Sequence, residues 1–215
     1  MTANDKAIAE ALNELLPDAK CALDFKTPFQ CLVAVALSAQ TTDKAVNDVT
    51  PALFSCFPDA KSMAEADVKD IESFIMKLGL FKNKARNLSA MSKRLVEDFG
   101  GEVPNSREAL TSLPGVGIKT SNVVRAECFN EPAIAVDTHV ARVSYRLGYC
   151  KKDEDPVKIE AILERRFPKE KWIKLHHQII WFGRLVCHAK NPSCESCPLK
   201  PYCRHSKKSS SKTGK

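Results

Sequence analysis

The sequence predicts an all-α protein, and three observations support this class. Apolar residues recur at helical spacing, as Ile8, Leu12, Leu15 and Leu16 do near the start of the chain. Residues typical of helix N-caps precede such stretches, and prolines or glycines follow them. No segment alternates apolar and polar residues between hairpin turns, as strands do. The 215 residues suffice for one large domain or two small ones.

The expected helices are bounded by capping residues, prolines and glycines. In the first half of the chain, the boundaries are Pro17 after the first helix, Thr27-Pro28 to Gln40, Asp43 towards Phe57 with Pro51 as a candidate break, a Ser62 and Glu65 capping box to Gly79, and Asn83 to Gly100. In the second half, they are an Asn105 and Glu108 capping box before Leu110, Asp137 to Leu147, Asp155-Pro156 to Pro168, and Glu170 to Val186.

The positive charge of the chain is concentrated at its C-terminus. The formal net charge is +7, and five cations lie in residues 204–215, which contain no acid: Arg204, Lys207, Lys208, Lys212 and Lys215. We expect residues 204–215 to be a disordered basic tail because they are rich in lysine and serine. Such a tail is either a solvated end or a contact to a polyanion.

Nothing in the sequence predicts a membrane protein or a secreted one. The longest apolar run, residues 31–37, is far shorter than the ~20 residues of a transmembrane helix. The N-terminal residues lack the basic and apolar regions of a signal peptide. We therefore expect a cytoplasmic location, where nine cysteines are more consistent with metal binding or core packing than with disulfides.

Four of the cysteines are clustered near the C-terminus with the spacing C-x6-C-x2-C-x5-C, namely Cys187, Cys194, Cys197 and Cys203. Four thiolates this close in sequence can surround one metal centre, either zinc or a [4Fe–4S] cluster. Zinc sites of four cysteines usually have two C-x-x-C pairs, and this sequence has one, which favours iron–sulfur. For the five scattered cysteines we expect core packing: Cys21, Cys31, Cys56, Cys128 and Cys150.

The segment L-P-G-V-G-I-K-T at residues 113–120 places a G-x-G turn before a helix. Backbone N–H groups at such a turn can bind a phosphate, although an ordinary connection between two helices would look the same. A nucleotide P-loop is excluded because Leu113 and Ile118 occupy positions where that motif needs glycine. A dinucleotide fingerprint is excluded because no strand precedes the glycines.

The segment I-A-V-D-T-H-V-A-R-V at residues 134–143 contains two further candidates. Asp137 is well placed as the N-cap of a helix that runs towards Leu147, and it is either only a cap or also a functional carboxylate. His139, taken alone, is more typical of a histidine that packs or forms hydrogen bonds than of a catalytic base.

Together these motifs resemble the endonuclease III family of helix–hairpin–helix DNA glycosylases. The resemblance rests on residues 113–120, on V-D-T-H-V at 136–140 with Arg142, and on the four-cysteine spacing. L-S-A-Q-T-T-D at 37–43 and G-L-F-K-N-K-A at 79–85 resemble other signature stretches of that family. The resemblance extends over about residues 5–203, and the agreement of several motifs in order makes it specific.

The resemblance implies two α-helical domains that flank a DNA-binding cleft. One is a six-helix domain of residues 21–132, with the helix–hairpin–helix turn at about 113–118. The other joins residues 1–20 to residues 133–203 and contains a [4Fe–4S] cluster held by the four clustered cysteines.

The resemblance also implies roles for individual residues. Lys119 matches the lysine that forms a Schiff base, and Asp137 matches the catalytic aspartate. Gln40 matches the residue that fills the gap left by a flipped base, and Leu80 the wedge in the opposite strand. Further DNA contacts are expected at Gly115, Gly117, Thr120, His139 and Lys190. Lys190 is the only permanent cation between Cys187 and Cys194.

The implied function is base excision repair by a monomeric bifunctional DNA glycosylase and AP lyase. Its substrate would be double-stranded DNA with oxidised pyrimidines or abasic sites, found at the bacterial nucleoid, and cleavage would follow β-elimination through a lysine Schiff base. One alternative is a monofunctional relative specific for mismatched adenine or thymine, but these enzymes generally lack the lysine at position 119, and the adenine enzyme usually has a further C-terminal domain. Another is a non-enzymatic DNA-binding module with a structural zinc site.

Overall fold

The computed structural model describes residues 1–206, and no strand occurs among them, which confirms the predicted all-α class. No helix in this part of the chain is long and apolar enough to cross a membrane. The α-helices are α1 (Ala3–Leu15), α2 (Pro28–Leu37), α3 (Asp43–Cys56), α4 (Ala60–Glu65), α5 (Val68–Ile75), α6 (Phe81–Phe99), α7 (Arg107–Thr111), α8 (Ile118–Phe129), α9 (Thr138–Leu147), α10 (Pro156–Arg166) and α11 (Trp172–Leu185). Two 3-10 helices occupy Lys169–Lys171 and Lys200–Tyr202.

The chain forms two compact units. Residues Ala22–Glu131, here called the hairpin unit, contain α2 to α8. Residues Met1–Cys21 and the described chain from Pro132 onward, here called the cysteine unit, contain α1 and α9 to α11. Both boundaries lie within one residue of the predicted domain boundaries.

Helix α2 is at the centre of the hairpin unit because it is apolar on nearly all sides. It packs against α3, α6 and α8, while α4 and α5 pack against α6. Its buried residues are Phe29, Cys31, Leu32, Val33, Ala34, Val35 and Leu37. The hairpin unit has seven α-helical segments and not the six predicted, because α4 and α5 occupy the stretch over which the sequence predicts one helix.

The capping box predicted at Ser62 and Glu65 is wrong. Asp59 is the N-cap of α4, and its carboxylate accepts a hydrogen bond from the Ser62 backbone N–H at 2.8 Å. An aspartate has the advantage here because its negative charge also interacts favourably with the helix dipole. A second cap at Asp67 starts α5 and divides the expected helix in two.

Other helix boundaries also differ from the expected ones. Ser106, and not Asn105, is the N-cap of α7. Helix α2 ends at Leu37, three residues earlier than expected, and α6 begins at Phe81, two residues earlier than Asn83. Helix α3 continues through Pro51, which lies on an exposed position, so this proline does not break it.

The beginning of the expected basic tail is ordered, which corrects the prediction for residues 204–206. These residues form one further helical turn. The Ser206 side chain is buried, and its hydroxyl donates to the carbonyls of Lys200 and Cys203 at 3.1 and 3.0 Å. The rest of the predicted tail, residues 207–215, lies outside the described residues.

The scattered cysteines only partly follow the expectation of core packing. Cys31 is fully buried in α2, as expected. Cys56, the last residue of α3, is exposed, contrary to this expectation. The other three are half-buried, namely Cys21, Cys128 and Cys150.

The cysteine unit is assembled from both ends of the described chain. Helix α11 packs against α9 and α1, and α10 packs against α9. The main apolar core consists of Ile8, Ala9, Leu12, Ile134, Val136, Val140, Val143, Leu147, Ile159, Leu163, Phe167, Leu175, Ile179, Phe182 and Leu199. Polar contacts add to this core, since Gln178 on α11 donates to the Leu16 carbonyl and the Trp181 indole donates to the Lys20 carbonyl.

Asp5 connects α1 to α10 in the cysteine unit. Only 1% of this residue is exposed. Its carboxylate accepts hydrogen bonds from the Thr2 backbone N–H and hydroxyl, and from Arg166 Nη1 at 3.0 Å. Burial alone would raise the pKa of Asp5, but the Thr2 hydrogen bonds and the Arg166 charge outweigh burial and hold this pKa below its usual value.

We predict that Asp5→Asn lowers the free energy of unfolding by about 1–2 kcal/mol at neutral pH, because a charge-assisted pair is lost. Urea denaturation measures this change. A carboxylate whose pKa is lowered by folding stabilises the folded protein at pH values above its pKa in the unfolded state, about 4. This stabilisation is lost as the pH falls through its pKa in the folded state. The difference between wild type and variant should therefore shrink in acid.

The matched control is Glu10→Gln on the same helix, which removes an exposed pair with Lys6 at 3.9 Å. It should change the free energy of unfolding by less than about 0.5 kcal/mol. Equal losses for the two variants would contradict the role assigned to Asp5.

Candidate functional site

The predicted hairpin lies between α7 and α8 in the hairpin unit. Gly115 has a φ of +78°, in the left-handed region that glycine adopts without strain. A Cβ atom at this position would lie 3.0 Å from Nδ2 of Asn87, so the Asn87 side chain packs directly against the turn. Val116 is buried and anchors the turn to the core, and its N–H donates to the Leu113 carbonyl at 3.1 Å.

Gly117 is the N-cap of α8, and no side chain caps this helix. Its backbone is extended, with a φ of −94°, and no atom lies within 4 Å of a Cβ built there. The first N–H groups of a helix lack partners within the helix, and they attract anions. The start of α8 can therefore accept a phosphate, as the G-x-G turn predicted.

Lys119 and Thr120 are the second and third residues of α8. The Lys119 side chain is exposed, and Thr120 is half-buried. An amine at this position lies within one turn of the uncapped N–H groups, so an anion bound there would lie close to it.

Asp137 is the N-cap of α9, as the sequence predicted. Its Oδ1 accepts hydrogen bonds from the backbone N–H groups of His139 and Val140, both at 2.8 Å. No described residue of the cysteine unit donates a hydrogen bond to its other oxygen, Oδ2. The half-buried carboxylate can therefore cap the helix with one oxygen and present the other to a ligand.

His139 lies in a cationic environment at the start of α9. Its Nδ1 is 3.0 Å from Nη2 of Arg142. Because a guanidinium can only donate, Nδ1 accepts this hydrogen bond, and the neutral ring carries its proton on Nε2. Burial, opposed by Asp137 and assisted by the charges of Arg142 and Arg184, lowers the pKa of His139. His139 is therefore a neutral hydrogen-bonding residue here, in line with the more ordinary of its two interpretations.

Gln40 and Leu80 share an unusual backbone conformation in the hairpin unit. Their φ angles are +54° and +60°, although neither residue is glycine or asparagine. A left-handed backbone costs such residues roughly 1–2 kcal/mol each. Both side chains are exposed, Leu80 to 59%. Strained residues with exposed side chains are typical of functional sites.

The four clustered cysteines line one cavity of the cysteine unit. Each of them is half-buried, and the remaining wall includes apolar side chains of Val143, Leu147, Phe182 and Leu199. Burial, together with the other three thiols, raises the pKa of Cys197. Four thiols that face a low-polarity cavity fit a metal centre, because metal ions stabilise the thiolate form.

Arg146 on α9 fixes the loop that follows the first of these cysteines. Its Nη1 donates to Cys187 Sγ at 3.1 Å and to the His188 carbonyl at 2.7 Å, and its Nη2 donates to the Ala189 carbonyl at 3.1 Å. Arg142 donates from Nε to the Cys187 carbonyl at 3.0 Å. An N–H to sulfur hydrogen bond is a typical feature around iron–sulfur clusters and tunes their potential.

The structure brings the predicted site residues into separate groups. The hairpin unit holds Gln40, Leu80, Gly115, Gly117, Lys119 and Thr120, and the last four form a single continuous turn and helix start. The cysteine unit holds Asp137 and His139 at the start of α9, the four cysteines, and the exposed Lys190 in the loop between Cys187 and Cys194.

Sequence reasoning did not identify Arg146 or Asn87 as parts of these groups. It named Lys84 only as an alternative amine should Lys119 not be the nucleophile, and it did not predict the contact that Lys84 makes. Arg142 and Arg146 are four residues apart on α9, so their common face was a signal that the sequence contained. Lys84 donates from Nζ to the Thr41 hydroxyl at 2.5 Å across 43 residues, and no local pattern indicates such a contact.

Comparison with known protein families gives two matches. Residues 33–169 match the HhH-GPD superfamily of base excision DNA repair proteins. Residues 187–203 match the iron–sulfur binding domain of endonuclease III, and this segment begins and ends at clustered cysteines. The second match confirms the predicted [4Fe–4S] cluster and decides between the two metal centres that the cysteine spacing left open.

Individual relatives agree with the family matches. Endonuclease III of Bacillus subtilis is 45% identical over 199 residues, which cover 93% of this chain and 91% of that protein. Endonuclease III of Synechocystis is 48% identical over 193 residues, 89% of this chain and 88% of that protein.

A solved structure agrees as well. A trapped covalent intermediate of endonuclease III with DNA superposes with a TM-score of 0.92 at 43% sequence identity, over 98% of this chain and all of that one. The resemblance found in the sequence is confirmed over most of the chain. This protein therefore belongs to the endonuclease III family of the HhH-GPD superfamily of base excision DNA repair proteins.

Proposed function

We propose that this DNA glycosylase and AP lyase excises oxidised pyrimidines from double-stranded DNA, with Lys119 as its nucleophile. The glycosylase and lyase activity is that of its family. The observation that carries the residue assignment is the position of Lys119, an exposed amine in the first turn of an uncapped helix directly after the hairpin. A monofunctional enzyme that activates water would not need an amine there.

DNA containing a damaged base or an abasic site is the proposed partner. The phosphate backbone binds at the N–H groups of the hairpin and of the first turn of α8. A base inside the duplex cannot be reached, so its nucleotide must leave the stack at a cost of a few kcal/mol. Gln40 and Leu80 offset this cost by filling the gap and wedging the opposite strand. Thr120, His139 and Lys190 make further contacts to DNA.

The chemistry then needs a nucleophile and a negative charge. The neutral amine of Lys119 attacks C1′ of the sugar, and the bond between C1′ and the base breaks. The ring bond between C1′ and O4′ then opens to leave an imine between Nζ and C1′, and the two amine protons pass to the departing base and to O4′. Asp137 Oδ2 stabilises the positive charge that develops on the sugar as the glycosidic bond breaks. Loss of a C2′ proton from the imine then expels the 3′ phosphate by β-elimination, and hydrolysis of the imine releases the lysine.

The clustered cysteines Cys187, Cys194, Cys197 and Cys203 are the proposed ligands of the [4Fe–4S] cluster. When bound, the cluster supplies iron–thiolate bonds that cross-link residues 187–203. Arg146 and Arg142 connect this segment to α9, the helix that Asp137 caps. We propose that the protein acts as a monomer. Its DNA substrate implies that it acts at the nucleoid of a bacterial cell.

We expect Gly117→Ala to weaken binding to all duplexes alike, damaged or undamaged. The added methyl group meets no protein atom within 4 Å, so the variant should fold normally while the methyl group obstructs a bound phosphate. Fluorescence anisotropy at several salt concentrations measures this binding. The logarithm of the association constant should fall with the logarithm of the salt concentration, with a slope of about −0.9 per neutralised phosphate. By contrast, Gly115→Ala should be destabilised, because of its left-handed backbone and the nearby Asn87 side chain. Unchanged binding by a folded Gly117→Ala protein would exclude the phosphate site.

Cys197→Ser should lose most of the iron and the visible absorption of the protein, which we expect to contain about four irons per chain. Iron analysis and absorption spectroscopy measure this loss. Cys150→Ser is the matched control, because Cys150 is a half-buried cysteine of the same unit outside the cluster segment. A Cys197→Ser protein with full iron content would show that the ligand set is different.

Asp137→Asn should fold normally and bind DNA but excise the base at least ~10²-fold more slowly, the scale of one lost electrostatic contact in the transition state. Asparagine keeps an oxygen that can cap α9 and loses only the charge. Asp155→Asn is the matched control, because Asp155 caps α10 in the same manner. If excision survives while stability falls, Asp137 is only a cap.

Borohydride tests the lysine directly, because it reduces an imine to a stable amine. Wild-type protein mixed with a lesion-containing duplex and borohydride should yield a covalent protein–DNA adduct. Lys119→Ala should abolish both the adduct and strand cleavage while lesion binding persists, since phosphate contacts come from other groups.

Lys69→Ala is the control for this experiment, because Lys69 is the second residue of α5 as Lys119 is of α8. It should trap like the wild type. Base release without an adduct from wild-type protein would indicate a monofunctional enzyme. An adduct from Lys119→Ala would identify another amine as the nucleophile.

A further inference from the structure

Gln40 and Leu80 lie 40 positions apart in sequence, yet both have a left-handed backbone and an exposed side chain. A non-glycine residue keeps this conformation only where its surroundings hold it. Local turns contribute to this, since the Thr41 N–H donates to the Ser38 carbonyl at 3.1 Å. Such turns do not relate one segment to the other. Packing of α2 against α6 brings the two segments near each other, and a direct contact between them would fix their relative position.

Lys84 provides that contact. Its backbone N–H donates to the Leu80 carbonyl at 3.0 Å in the first turn of α6. Its side-chain Nζ donates to the Thr41 hydroxyl at 2.5 Å, and this hydroxyl can in turn donate to the Ala39 carbonyl at 3.3 Å. A continuous series of hydrogen bonds therefore runs from both neighbours of Gln40 to Leu80.

The burial of Lys84 makes this arrangement unusual. Only 8% of the residue is exposed, and lysine is rarely buried unless a partner of opposite charge compensates it. Within the hairpin unit, no described carboxylate forms an ion pair with it, and burial lowers its pKa. An apolar residue of similar length would fill the same space without the desolvation cost of an amine. The ammonium group is therefore better explained by positioning than by packing.

We propose that Lys84 is a positioning residue that holds the Gln40 and Leu80 segments in one fixed arrangement, so that both side chains enter the DNA duplex in a single concerted step. This proposal rests on the DNA-contacting roles proposed above for Gln40 and Leu80. It makes the Lys84–Thr41 hydrogen bond a determinant of how fast the damaged base leaves the stack. It assigns Lys84 no contact with DNA.

The test uses full-length protein with its cluster and a series of single substitutions. Lys84→Met removes the ammonium and keeps the length of the side chain. Thr41→Val removes the hydroxyl and keeps the shape, while Thr41→Ser keeps the hydroxyl. Lys82→Met is the matched control, because Lys82 is an exposed lysine in the same turn of α6.

The readout is a duplex with an oxidised pyrimidine beside 2-aminopurine, a base whose fluorescence rises when it unstacks. In single-turnover mixing, Lys84→Met should slow both the fluorescence rise and base excision by ~10-fold or more, since small misplacements of positioning groups have effects of this size. Thr41→Val should give at least the same loss, because it removes the hydrogen bond from Lys84 and also the one to the Ala39 carbonyl. The double variant should be no slower than Thr41→Val alone, because Lys84 acts through the Thr41 hydroxyl. Thr41→Ser should recover most of the rate, and Lys82→Met should stay within about twofold of wild type.

A merely structural role or a phosphate contact would give different results. Thermal unfolding of Lys84→Met should remain close to that of the wild type, because methionine fills the site and Thr41 can still donate to Ala39. The salt dependence of binding to undamaged duplex should also be unchanged, whereas loss of a phosphate contact would reduce the slope by about 0.9. Additive effects of the two substitutions, or a reduced slope, would overturn the proposal.

Gln40→Ala and Leu80→Ala separate this proposal from the one on which it rests. If both variants keep the wild-type fluorescence rise, the DNA-contacting roles of these two residues are wrong. If both lose it while Lys84→Met and Thr41→Val keep it, only the positioning role of Lys84 is wrong. Should Lys84→Met fail to fold, Thr41→Val and its rescue by Thr41→Ser decide the question alone.

Discussion

The hairpin unit depends on how it holds a helix start that no side chain caps, namely the N-terminus of α8. Eight of the eleven α-helices in residues 1–206 begin with a side-chain cap, and α8 does not. Of the three uncapped helices, two begin after Gly117 and Leu80, both proposed DNA contacts. An open helix end leaves N–H groups without partners. The turn before it contains Gly115 in its left-handed conformation, and the buried Val116 and the neighbouring Asn87 pack the turn against the rest of the unit.

In the cysteine unit, helix α9 connects Asp137 to the segment that begins at Cys187. Its N-terminus carries Asp137, whose Oδ1 caps the helix, so the orientation of this carboxylate is set by the helix that it starts. Further along, Arg142 and Arg146 donate to the backbone that begins at Cys187. The contact between His139 and Arg142 joins the two ends of this arrangement. A cluster bound by the cysteines would thus stabilise helix α9, whose start orients the proposed catalytic carboxylate. The cysteines would do so although they lie on a different segment of the chain from that helix.

The cysteine unit also shows why the chain must be nearly complete before this arrangement forms. Helix α1 comes from the first residues, yet it packs against α11, and Asp5 pairs with Arg166 across 161 positions. Contacts of such long range cost more conformational entropy than local ones, because a large loop must close before any of them stabilises the fold. The two compact units differ in the loop that must close, because the hairpin unit is continuous in sequence and the cysteine unit joins two distant segments.

The sequence by itself determined the features that depend on near neighbours along the chain: the helical class, the cap at Asp137, the turn at Gly115 and, over seventeen residues, the cysteine spacing. These follow from local hydrogen bonding and backbone geometry, which act the same way in any fold. Tertiary structure decided the rest. It left Cys56 exposed and brought Lys84 to Thr41. The reason is physical: the burial of a side chain and its long-range contacts depend on residues far away in sequence, so only the packed chain decides them.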